Sequence, residues 1–441
     1  MNVVLSKLLV FWFGVMALAS IFLFESLVSI VAIIYLYVAV VVGVNCKNGA
    51  ADPRVFPLSF MAVYFTFFPL RAYFFGAGNL PYDETVLIAS LKLQFLAIFV
   101  FVSVSNIFIS NARQENENLF SAACYKNTTS EQVLFVCVLP FVIVPVLMIL
   151  NSGASSKREI LAVFSFAKFI SDFGLLVITV LVFFRAVRIG RLFYLDLGVL
   201  LYVLFCLFYV LLTGERDILF KVIFGFLIIY FDQRRSFSFV KMLGIFGGLV
   251  FVVPVSQYFK GVLLSGGVNF DRVGWDLILY SEFMSASRNF YSLLVFDAQQ
   301  DLTFLIQDIM RAFVPSILVG DTGVQSSVSW FENVFRPEHG FEGTSGWGFT
   351  IVGFGYIVGG IGGIILIMTF YAWLLAVLYS YRWASLYWYS FYILALAAFV
   401  YVLRADLANL LSMLFKISGL SVLIIYFFHG LIKKHNYIKR I

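Results

Sequence analysis

Charge is the first thing this chain is short of: 12% of its 441 residues are Asp, Glu, Lys or Arg, about half the share in a soluble globular protein. Histidine occurs only three times, cysteine four and proline nine. His429 and His435 stand near the C-terminus, which leaves His339 as the one imidazole elsewhere. With no His or Cys pair at ligand spacing, a tetrahedral zinc centre is not expected. Cys137 and Cys206 fall in apolar runs and Cys46 and Cys124 in loops, which argues against a disulfide framework. A Gly-x-x-x-x-Gly-Lys loop is missing and no Ser or Cys nucleophile motif stands out, so nucleotide hydrolysis is not expected to drive the chemistry.

What fills the chain is apolar: 62% of residues are hydrophobic, with 53 Phe and 23 Tyr. Runs near 20 residues recur, each long enough to cross a hydrocarbon core of about 30 Å as a helix that satisfies its own backbone. The expectation is an all-α polytopic membrane protein of about twelve spans. They run near 6–24, 28–44, 55–70, 86–108, 132–150, 164–185, 193–212, 218–231, 242–256, 348–379, 386–403 and 408–431. Residues 1–256 would hold nine spans, 257–347 a large polar loop, and 348–441 three more with a C-terminal tail. The first span reads as a retained helix, because a second apolar run follows closely and no small-residue cleavage pattern intervenes.

Bases cluster at Arg185/Arg188/Arg191, at Arg234/Arg235/Lys241 and at Lys433/Lys434/Lys439/Arg440. The positive-inside bias puts these on the cytoplasmic side of the membrane, with both termini inside. Membrane flanks account for the net charge of +6 without a nucleic-acid partner. The opposite side receives Lys157 and Arg158, the Gly214–Asp217 turn, the large loop, and Arg404 with Asp406.

In that loop acids outnumber bases. Leu305, Ile309 and Phe313 recur four apart, with Gln307, Asp308 and Arg311 on the other face, which predicts an amphipathic helix lying in the interface. Trp275 to Leu294 reads as a second. Asp321 to Gly348, holding Trp330, Arg336, Pro337, Glu338, His339, Glu342 and Trp347, reads as an irregular binding loop whose Trp rings serve either as sugar platforms or as membrane anchors. The glycines at 353, 355, 359, 360, 362 and 363 predict close helix packing. Charges beside spans are costly, so Arg216 and Arg404 read as site residues, whereas Lys168 and Asp172, four apart, read as a structural pair.

The order of Thr213-Gly214-Glu215-Arg216, a large loop with Arg288 and Arg311, a Gly-rich span opening Gly348-Phe349-Thr350, and Leu403-Arg404-Ala405-Asp406 resembles the Wzy-type O-antigen and polysaccharide polymerases. In architecture it is similar to the enterobacterial common antigen polymerases. The resemblance covers roughly residues 150–430. It implies a glycosyltransferase that joins undecaprenyl-pyrophosphate-linked oligosaccharide repeat units at the periplasmic face, with membrane lipid and a chain-length regulator protein as further partners. Arg216, Arg288, Arg311, Arg404, Lys157 and Arg158 would then hold pyrophosphate and substrate without metal or other cofactor. His339, Glu338, Glu215 and Asp406 are the candidate bases for the acceptor hydroxyl. An O-antigen ligase and a lipid-linked oligosaccharide flippase are the alternatives.

Overall fold

Apolar runs of this length satisfy their backbone hydrogen bonds internally, and every regular element among the described residues is a helix. The computed structural model describes residues 3–109, 128–152, 157–234, 237–255, 282–314, 326–340 and 348–438. The first helices are α1 (Val3–Leu23), α2 (Leu27–Asn45), α3 (Phe56–Phe75), α4 (Glu84–Phe108) and α5 (Thr128–Asn151). Then come α6 (Lys157–Ile189), α7 (Leu197–Thr213), α8 (Arg216–Arg234) and α9 (Phe239–Val255). The former loop region supplies α10 (Glu282–Val295), α11 (Leu302–Phe313) and α12, the last built from Ser327–Trp330, a π-turn over Phe331–Phe335, and Arg336–Glu338. The chain closes with α13 (Ile351–Tyr381), α14 (Leu386–Val402) and α15, which starts at Leu407, passes a π-turn over Met413–Gly419 and ends at Ile438. Eight helices, α1 to α6, α13 and α15, carry stretches long and apolar enough to cross a membrane; α7, α9 and α14 are shorter apolar helices. Large apolar side chains such as Leu23, Phe166, Val240 and Phe427 face outward, while Tyr209, Tyr371, Tyr389 and Tyr392 are fully buried. That inversion suits a protein whose surroundings are hydrocarbon, where buried hydroxyls must find internal acceptors. Tyr371 and Tyr392 do so, donating to the carbonyls of Phe399 and Ala51 at 2.5 Å each.

Polar contacts tie the helices together at one end of the bundle, the end that carries both termini. Lys7 donates to the carbonyls of Asn106 and Ile109, Arg54 to Asn106 Oδ1 at 2.7 Å, Tyr389 to Asp232 at 3.1 Å, and Tyr387 and His429 Nδ1 lie 2.6 Å apart. At the opposite end Tyr291 OH donates to Pro81 and accepts from the Asp83 amide, and Lys168 meets Glu215. Helices α8 and α14 run antiparallel: beside the Tyr389–Asp232 contact, a methyl group at Gly225 would come within 2.9 Å of Ile393. Carried to the far end, this register brings Arg216 level with Arg404.

Three expectations are corrected. The segment near 348–379 is not one straight helix: the backbone breaks at Gly359 and at Gly360, whose φ is +55°. A methyl group at Gly363 would fall 2.0 Å from the Gly355 carbonyl oxygen. Residues eight apart on a straight helix are separated by about 12 Å, so α13 folds back as a hairpin with its turn at 359–360, and the glycines permit close packing between the two arms. The arm over 361–381 is still long enough to span on its own. Second, α10 is a core helix and not an interfacial one. Phe283, Phe290, Tyr291 and Leu293 are fully buried, and Ser287 Oγ accepts from the Phe68 amide of α3 at 3.1 Å. Third, residues 326–338 are helical where an irregular loop was expected. The amphipathic helix does form as α11, and Leu302, Ile306, Met310 and Phe313 face outward while Asp308 points inward, buried. Residues 275–281, Asp321, Glu342 and Trp347 lie outside the described residues.

Candidate functional site

The chain brings three arginines to one place at the end opposite the termini. Arg71 sits in the last turns of α3, Arg288 on α10 and Arg336 in α12. Arg71 spends one guanidinium nitrogen on the Gly76 carbonyl at 2.6 Å. Arg288 is held below its ordinary pKa by burial, then by the charges of Arg336 and Arg71. Its Nε is buried and has no hydrogen-bond partner among the described residues. Like charges gathered in a partly desolvated place repel, and an anion that accepts several guanidinium donors converts that repulsion into binding. The local fold supports the cluster from below. Ser287 fastens α10 to α3, and Asn289 Nδ2 donates to the Gly348 carbonyl at 3.1 Å, drawing the start of α13 against α10.

His339 closes α12 one turn after Arg336. Its ring stacks on Phe296 with centroids 4.0 Å apart and 9° between planes, and meets Phe335 edge-on at 4.6 Å. Trp330 lies within the same aromatic cluster, 5.7 Å from Phe304 and 5.4 Å from Phe335. Glu338 is exposed beside His339.

A second cluster lies behind α12. Ser327 Oγ is 2.7 Å from Oδ2 of Asp308 on α11 and 2.7 Å from Oδ2 of Asp406, the N-cap of α15. Arg311, a turn after Asp308, lies close enough for its charge to act on that carboxyl, and its Nη1 is buried without a partner among the described residues. Lys416 Nζ donates to the carbonyls of Arg311 and Val314. Gly348 links the clusters: a methyl group there would come within 2.9 Å of the Arg404 carbonyl. The Arg404 guanidinium lies over the Tyr401 ring at 4.4 Å.

At the mouth of α6 to α8, Lys168 bridges Asp172 at 2.5 Å and Glu215 at 2.9 Å, and Tyr209 OH donates to Asp172 at 2.6 Å. Glu215 is thus ion-paired, while Arg216 opens α8 beside it. Lys157 and Arg158 begin α6, and their side chains lie outside the described residues. Of the residues expected to act together, Arg288 lies in the arginine cluster and His339 follows Arg336 by one turn with its ring on Phe296 and Phe335, while Arg311 and Asp406 both bear on Asp308 in the second cluster. The like charges bearing on Arg288 come from Arg71 and Arg336, neither of which was among the expected anion ligands. The third span as expected from the sequence, 55–70, stops one residue short of Arg71, whereas the helix runs on to Phe75 and carries Arg71 with it.

No family model, curated protein or solved structure matches this chain.

Proposed function

We propose that this chain is a glycosyltransferase that joins lipid-pyrophosphate-linked oligosaccharide repeat units into a polysaccharide. The observation that carries the reading is the Arg71–Arg288–Arg336 cluster with His339 one turn away. As the bond between the donor sugar and pyrophosphate breaks, the leaving group gains charge, and preorganised guanidinium donors stabilise it strongly. The acceptor hydroxyl oxygen forms the new bond to the anomeric carbon and gives its proton to a nearby base. His339 is the first candidate by position, Glu338 the second. Arg216 at the start of α8 and Arg404 in the turn after α14 extend positive charge along the same end of the bundle. In this reading about twelve helices cross a bacterial inner membrane, the termini are cytoplasmic, and the arginine cluster faces the periplasm, where a chain-length regulator would dock.

Purified protein supplied with lipid-linked repeat units tests the proposal. Longer lipid-linked glycans support it; transfer of the glycan to a lipid A core acceptor points to a ligase, and movement across the bilayer without bond formation to a flippase. Sidedness has its own test. A cysteine at exposed Glu338 should react with an impermeant thiol reagent from the periplasm, and one at exposed Lys241 should not.

A further inference from the structure

Ser327 has one hydroxyl hydrogen and two carboxyl oxygens within 2.7 Å of its Oγ. It can donate to one of them only. The other contact at that distance needs a hydrogen from the carboxyl itself, since two oxygen lone pairs would otherwise face each other. The remaining oxygens are spoken for as acceptors: Asp308 Oδ1 takes the Ser327 amide at 3.1 Å, and Asp406 Oδ1 takes the Asn409 amide at 2.7 Å and its Nδ2 at 2.8 Å. The proton therefore belongs to Oδ2 of Asp308 or of Asp406. All three side chains are essentially inaccessible.

We propose that Asp308, Ser327 and Asp406 form a one-proton latch, which pins the start of α12 between α11 and α15 and is released when the proton is lost. The regulated element is the short helix that carries Arg336 and His339. Loss of the proton leaves two buried carboxylates across one hydroxyl, and the shared contact can survive on only one side. Burial raises both carboxyls, and the nearby Asp406 adds to the rise at Asp308, which is pushed up to about 6. Arg311 opposes this from α11. Lys416 of α15 is held on backbone carbonyls, Arg404 lies over Tyr401, and α13 and α14 contain no Asp, Glu, Lys, Arg or His. The latch rests on the proposed function only for what α12 does. Its opening is read without substrate.

The test is hydrogen–deuterium exchange of residues 326–340 in the full-length protein in nanodiscs, at about pH 5.5 and about pH 8.5, corrected for intrinsic rates. The wild type should lose protection by about tenfold or more at the higher pH, the scale of one pKa unit of coupling. In Asp308→Asn the amide donates to Ser327 Oγ and the serine to Asp406, so no titrating proton is needed and protection should stay level. Ser327→Ala should be unprotected at both pH values. In parallel, the infrared band of a buried protonated carboxyl in the wild type should vanish with the same midpoint as the exchange. Exchange that ignores pH, an Asp308→Asn variant that keeps the wild-type pH response, or a carboxyl band that does not track exchange would each overturn the latch. The infrared and exchange readings on the wild type suffice if a variant fails to fold. Activity is a separate measurement: inactive protein with an intact latch response refutes the proposed function alone.

Discussion

Lys168 Nζ lies 2.9 Å from Glu215 Oε1, an ion pair that ties α6 to the turn before α8. The same ammonium holds Asp172 at 2.5 Å, so one mostly buried cation serves two carboxylates. Lys168→Met takes the ammonium from both, leaving Asp172 the Tyr209 hydroxyl alone in place of a cation, and removing one partner of a buried pair costs about 3–5 kcal/mol. Thermal unfolding in detergent should report that loss. Glu215→Gln keeps an acceptor on Lys168 and should cost less. Because Glu215 is engaged, its amide variant should also fall well short of the roughly hundredfold rate loss of a missing general base.

Arg288 gives a test of the anion site that needs no turnover. Inorganic pyrophosphate at about 100 times its Kd should stabilise the wild type by about 2.7 kcal/mol. Arg288→Gln should abolish that shift. Without anion the variant should be at least as stable as the wild type, because it removes one of three like charges. A pyrophosphate shift that persists in Arg288→Gln would place the anion elsewhere.

The helices were legible in the sequence because hydrophobic length is a strong signal, and each apolar run expected to span overlaps a helix. The hairpin in α13 was hidden: a run of glycines among Ile and Val reads the same whether the backbone passes straight through or turns back. The amphipathic period of α11 was legible too, and its buried polar face follows from an apolar environment on the other side. Asp308 could not be recognised beforehand, because its partners Ser327 and Asp406 lie 19 and 98 positions away and no periodicity relates them. The same holds for Arg71 and Arg288, which only the packing of α10 on α3 brings together.

Neighbouring glycines in the hairpin separate packing from propensity. A methyl group at Gly362 meets nothing within 4 Å, whereas at Gly363 it falls 2.0 Å from the Gly355 carbonyl oxygen. Gly362→Ala should be neutral or stabilising by up to about 1 kcal/mol. Gly363→Ala must push the arms apart and should destabilise by roughly 1–3 kcal/mol, the usual cost of overpacking. Equal unfolding temperatures for the two variants would remove the close approach.

The two ends of the bundle should respond to pH with opposite sign. An unfolded Asp titrates near about 3.9, and Asp308 is raised by burial and by Asp406 to about 6. The folded state therefore binds the extra proton between those values, and stability falls as pH rises through them. At Asp52, burial pushes the carboxyl up, but the charge and hydrogen bonds of Arg54 outweigh it and hold it low. Its stabilisation is present above the unfolded value and lost as pH falls through the folded one. The unfolding temperature of Asp308→Asn relative to wild type should therefore climb between about pH 4 and pH 7, and a flat difference would contradict the raised carboxyl.

His339 needs a substitution that keeps its shape. The ring is stacked on Phe296 at 4.0 Å and 9° and touches Phe335, so His339→Ala removes packing and proton transfer together. His339→Phe preserves an aromatic face of similar width and deletes only the nitrogens. If the imidazole takes the acceptor proton, both variants should lose about a hundredfold or more in rate, with donor binding nearly intact. If it serves as a stacking residue, Phe should retain most of the activity and Ala should not. With the Phe variant active, the acceptor's base must be sought at exposed Glu338, one residue away, where Glu338→Gln then becomes the variant that loses the rate.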